Sequence, residues 1–170
     1  MTILSSQFPS GTTREPISVA WIACRLRRVS ALPTWRVLLF SAVRNTTAFL
    51  YRPALLDYAT AFVIYMELFL NQVLTRTFRR KRVTAFLLKE HRDIQERVTK
   101  ILKFATGKSL GESGPIFTEW KAHVQEPRNA LSHGKVMEVG PDEVERAHQA
   151  VCQAIRWIEH LKAPTTVGVS

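Results

Sequence analysis

A chain of 170 residues is long enough for one packed domain with an appendage and too short for two domains of ordinary size. Its 46% hydrophobic content and mean hydropathy of -0.05 argue against wholesale disorder, while a net charge of +10 favours contact with a polyanion such as RNA, DNA or an acidic membrane surface. The two cysteines, Cys24 and Cys152, match no CxxC or zinc-ribbon spacing, so no disulfide framework, metal or other cofactor is expected, and a reducing cytoplasm is the expected compartment.

Residues 1–52 hold seven Arg, no Lys and one acid, Glu15. Their short apolar bursts, 19–22 and 37–40, are interrupted by Pro9, Pro16 and Pro33, and no sustained period emerges. The segment reads as an extension of uncertain structure: a loosely attached helix pair or translated sequence upstream of the true start, in preference to a transit-type presequence. The opening MTILSSQFPSGTTREP lacks the basic, apolar and small-residue order of a secretory signal.

From residue 53 to 163 the pattern is regular. Between Asp57 and Phe78, apolar residues recur at Phe62, Val63, Met66, Phe69, Leu70, Val73 and Leu74, which is helical spacing. Tyr58, Ile64 and Leu68 make the other side apolar too, as expected of a central helix. Its longest apolar stretch, 59–70, contains Glu67 and is shorter than the ~20 residues a spanning helix needs, so stable membrane insertion is not predicted. Arg76, Arg79, Arg80, Lys81 and Arg82 follow at its C-terminal end, where cations complement the helix dipole; they are also candidates to grip RNA phosphates.

A second helix is predicted over 84–105, closed by Gly107, and a third runs from Ile116 through Phe117, Trp120 and Val124 towards Arg128. A fourth begins at Pro141 with Asp142 and Glu143 in its first turn, and carries the stripe Val144, Ala147, Val151, Ile155, Ile158 and Leu161. Residues 164–170 form a tail. The fold class that follows is all-α, a four-helix up-and-down bundle, with no strand pattern, phosphate loop or repeat.

The segment Glu126-Pro127-Arg128-Asn129-Ala130-Leu131-Ser132-His133-Gly134 places a cation, an amide and an imidazole within six positions. On a helix Asn129 and His133 share a face, and the long stem of Arg128 reaches the same region. RNA cleavage without a metal needs a base for the 2′-hydroxyl proton, an acid for the leaving oxygen and a cation on the phosphate. His133 suits the first or second role and Arg128 the third, with Asn129 positioning phosphate or imidazole. Glu67, a carboxylate in an apolar helix, is the candidate fourth member, expected either to face Arg128 or His133 or to sit at a wet rim. Lys135 lies close enough in sequence to assist RNA binding.

R-N-x-x-x-H-G ahead of the final helix of a short helical domain resembles the R-x(4–6)-H signature of the HEPN family (higher eukaryotes and prokaryotes nucleotide-binding) over residues 54–163, with only the motif diagnostic. The resemblance implies a homodimer in which two copies of the motif form one RNA-cutting cleft, in a toxin or antiviral-defence effector with a possible cognate antitoxin. The family branch paired with a nucleotidyltransferase antitoxin usually has Tyr two positions after the His; Lys135 stands there, which speaks against that pairing. A second reading is a non-catalytic helical module that dimerises and binds RNA or nucleotide.

Overall fold

A computed structural model describes residues 32–135 and 138–161. Residues 1–31 of the extension, Cys24 among them, and the tail 164–170 lie outside the described residues. Six helices and no strand occur among those described, and all six belong to the compact unit that begins at Pro33. They are α1 (Thr34–Thr47), α2 (Tyr51–Phe78), α3 (Lys81–Glu90), α4 (94–106), α5 (115–132) and α6 (Pro141–Glu159). The all-α class stands, while the count of four helices is corrected to six.

The central position of α2 follows from its composition. Apolar on both sides, it packs against each of the other five helices and buries Leu55, Tyr58, Phe62, Met66, Leu70 and Leu74. By length and composition alone this 28-residue helix could also cross a membrane, yet its apolar side chains form the centre of the core cluster.

Helix α1 lies within the segment assigned to the extension. It packs along α2 and buries Ala42, with Trp35 and Leu39 half-buried on the core and Val37, Phe40 and Val43 exposed. Both sides of α1 are apolar, so its residues show no amphipathic period to read.

The helix expected over 84–105 is broken at 91–93 into α3 and α4. Arg97 provides the physical reason: its Nε–H donates to the carbonyl of His91 (2.7 Å), and an Nη2–H donates to that of Leu88 (3.0 Å). Those carbonyls would otherwise serve a continuing helix. His91 and Glu96 pair across the break at 3.2 Å.

Both α4 and α5 contain a π turn, at Arg97–Ile101 and Lys121–Gln125. In α5 the turn comes just before Pro127, which has no N–H and a ring that crowds the carbonyl four residues back; the widened turn accommodates it. The two π-containing helices are tied by Gln125 Nε2 donating to Gln95 Oε1 at 3.2 Å.

Candidate functional site

Helix α5 ends where the motif lies. Gly134 adopts φ +69°, its N–H donates to the carbonyl of Leu131 (3.1 Å), and that of Lys135 donates to the carbonyl of Ala130 (3.0 Å). This is the Schellman stop, in which a residue without Cβ takes the left-handed position at no steric cost. Gly134 therefore ends the helix at His133 and leaves the imidazole on an exposed corner.

Arg128 is also exposed, Asn129 is half-buried, and an Nη1–H of Arg128 donates to Asn129 Oδ1 at 3.2 Å. Asn129 and His133 are joined along the helix by the His133 N–H to Asn129 carbonyl bond of 3.0 Å. The expected cation, amide and imidazole thus occupy one helix end. The His133 ring has no hydrogen-bond or ion-pair partner among the described residues, so nothing within the chain's described part fixes its tautomer. Lys135 is exposed immediately beyond.

Beside Arg128 is a small cavity of about 10 Å³, bordered also by Val63, Ile94, Trp120 and Gln125. Trp120 and Gln125 are 1% and 8% exposed, and Trp120 Nε1 and Gln125 Oε1 have no hydrogen-bond partner among the described residues. Trp120 belongs to the predicted stripe of the third helix, whereas Gln125 was not singled out; a polar residue one turn before Asn129, at i−4, is the signal that marks it.

Of the two placements expected for Glu67, the structure has the wet rim, and its place among the candidate catalytic residues is corrected accordingly. Glu67 is 58% exposed on its side chain, and its carboxylate lies 3.7 Å from Arg97, neither facing Arg128 nor His133. Burial of the neighbouring Met66 and exposure of Glu67 put the carboxylate at the water-facing rim of α2.

The basic cluster is divided by the fold. Arg76 is in the last turn of α2, and Arg79 is its left-handed cap with φ 53°, as a C-terminal cluster requires. Arg80, however, is the N-cap of α3, with Lys81 and Arg82 in its first turn and no acid there. The dipole-complementing role therefore fails for these three, which face the positive end of a helix. All five are exposed, and none of their side chains has an ion-pair partner among the described residues.

A surface cavity of about 500 Å³ at the start of α6 is lined by Arg52, Glu138, Val139, Gly140 and Glu143, with neither Arg128 nor Asn129 in its lining. His148 stacks on Tyr58 with ring centroids 5.2 Å apart, and burial raises the Cys152 thiol pKa above its ordinary value. Among the described residues no three His, Cys, Asp or Glu side chains gather as a metal-binding group. Comparison of the chain with protein-family models, with curated proteins and with solved structures gave no match.

Proposed function

We propose that this chain is a metal-independent endoribonuclease of the HEPN type, acting in the cytoplasm as a toxin or antiviral-defence effector. The observation that carries the reading is the grouping of Arg128, Asn129 and His133 at one solvent-facing helix end, with the Arg128 and Asn129 side chains 3.2 Å apart. A four-helix HEPN core then corresponds to α2, the α3–α4 pair, α5 and α6, with α1 added outside it.

In the proposed reaction, neutral His133 takes the proton of a ribose 2′-hydroxyl, the 2′-oxygen forms a bond to the adjacent phosphorus, and the 5′-oxygen of the next nucleotide leaves. The products are a 2′,3′-cyclic phosphate and a 5′-hydroxyl, and the leaving oxygen takes a proton from an acid. Arg128 holds the charge that develops on the phosphate, and Asn129 orients the guanidinium. The acid is supplied by the same motif of a second copy in a homodimer. Lys135 and the cations Arg76, Arg79, Arg80, Lys81 and Arg82 hold the RNA strand, and a cognate antitoxin would shield it.

The second reading, a non-catalytic dimerising module that binds RNA or nucleotide, is favoured by one observation: among the described residues the His133 ring has no partner to orient it as a general base normally has. Cleavage of single-stranded RNA in EDTA separates the two. Cutting by the wild type and its loss in both Arg128→Ala and His133→Ala supports the nuclease. No cutting, or equal cutting by wild type and His133→Ala, supports the module.

A further inference from the structure

Among the described residues the excess of positive charge is concentrated in one place. The described residues hold 19 Lys and Arg against 13 Asp and Glu, and residues 76–92 alone hold seven bases against one acid, Glu90. Elsewhere the described chain is balanced, twelve against twelve. The excess lies at the α2–α3 corner and along α3, where Arg80, Lys81 and Arg82 crowd a helix N-terminus that repels cations. A bound polyanion would relieve that repulsion.

Aromatic side chains are interleaved with these cations. On α3 Phe86 is 61% exposed and shares its face with Arg82, four residues before, and Lys89, three residues after. On α4 Phe104 is 62% exposed and stacks on Phe78, the residue before Arg79, with centroids 5.8 Å apart and planes at 17°. Beyond Phe86 a groove of about 370 Å³ is lined by Asn71, Lys89, Arg92, Arg97 and Glu67, the last paired to Arg97. Two residues of its lining neighbour the Arg128 cavity along the chain: Glu67 is one turn from Val63, and Arg92 is two residues from Ile94, both of which border that cavity.

We infer that this surface, from Arg79 and Phe104 over Arg82, Phe86 and Lys89 to Arg92, is a binding track for single-stranded nucleic acid. Cations alone would serve a duplex equally well; exposed phenyl rings set among them offer stacking platforms that only unpaired bases can use. Helix α3, which carries Arg82, Phe86 and Lys89, is about 15 Å long at ~1.5 Å per residue, room for roughly four nucleotides and the five phosphates that flank them at ~3.4 Å each. The inference stands on charge and exposure and needs no catalysis at Arg128 or His133.

The test is fluorescence anisotropy of the full chain with labelled oligothymidylate, which has no 2′-hydroxyl and so separates binding from cleavage. The expected result is tighter binding of the single strand than of duplex DNA, with a log–log salt slope near about -3.5 if five phosphates are engaged. Arg79→Glu/Arg80→Glu/Arg82→Glu should weaken binding by more than about tenfold and flatten that slope by about 2. Phe86→Ala and Phe104→Ala should each weaken single-strand binding by about tenfold without changing the slope. Arg146→Glu/Arg156→Glu on α6 should leave it unchanged. Equal binding of duplex, neutral Phe variants, or equal losses in the α6 variant would overturn the track. So would capture by phosphatidylserine-containing vesicles without oligothymidylate binding, which would make the patch a lipid contact. RNA cleavage without oligothymidylate binding leaves the nuclease proposal intact and removes this one; the converse result does the reverse.

Discussion

Replacing Arg97 by Met tests how the α3–α4 break and the groove are held. Arg97 is 9% exposed, and its guanidinium makes two hydrogen bonds, at 2.7 and 3.0 Å, to the carbonyls of His91 and Leu88, besides the 3.7 Å contact with Glu67. Hydrogen bonds from a charged donor contribute ~1.5–3 kcal/mol each, so the two together contribute ~3–6 kcal/mol. Removing the buried cation recovers part of that as relieved desolvation, and Met keeps the apolar stem. The net cost works out at about 3 kcal/mol, a fall in melting temperature of roughly 10 °C for a unit of this size. Far-ultraviolet circular dichroism during heating and urea titration would measure it. Arg97→Lys should restore less than half, because an ammonium cannot reach in two directions as the planar fork does. A loss below about 0.5 kcal/mol for Arg97→Met would refute the claim that this side chain holds the break.

Glu67→Gln should leave RNA cleavage unchanged and cost under about 1 kcal/mol in stability, since the pair it breaks is largely solvent-exposed; a loss of cleavage would return Glu67 to the site. Gly134→Ala should cost about 1 kcal/mol through strain at φ +69° and lower cleavage by displacing His133, with substrate binding preserved. Hydrogen bonds hold three carboxyls below their ordinary value: from Lys100 to Glu96, from Lys103 to Glu112, and from the backbone N–H groups of Glu143 itself and Gly140 to Glu143. A depressed folded-state pKa stabilises the fold above the ordinary carboxylate range, and that stability is lost as the pH falls through the depressed values. The melting temperature should therefore decline below about pH 4.5, and Glu96→Gln/Glu112→Gln/Glu143→Gln should flatten that decline.

The parts of the fold that the sequence made legible are those where local pattern and burial coincide. In α6 the stripe Val144, Ala147, Val151, Ile155 and Ile158 is buried, because a single apolar face met a single core. The spine role of α2 was equally visible in its all-round apolar composition. The break at 91–93 was not, because it is made by Arg97, a side chain acting from six residues beyond. Helix α1 was hidden for a different reason: Val37, Leu38, Leu39 and Phe40 form an unbroken apolar run that contains no period.

At the site, the i,i+4 relation of Asn129 and His133 was legible because it is local, and so was Gly134 as a helix end. The partner of Glu67, the corner that divides Arg79 from Lys81, and the pocket of Trp120 and Gln125 all depend on helix-to-helix approach, which spacing along the chain does not encode.

The measurement that bears most directly on the proposed activity is mass spectrometry of the RNA ends produced in EDTA by the purified full chain. The expected products are fragments ending in a 2′,3′-cyclic phosphate with matching 5′-hydroxyl ends, absent with Arg128→Ala and with His133→Ala. Intact RNA with the wild type, or 3′-hydroxyl ends that persist in both variants, would contradict it.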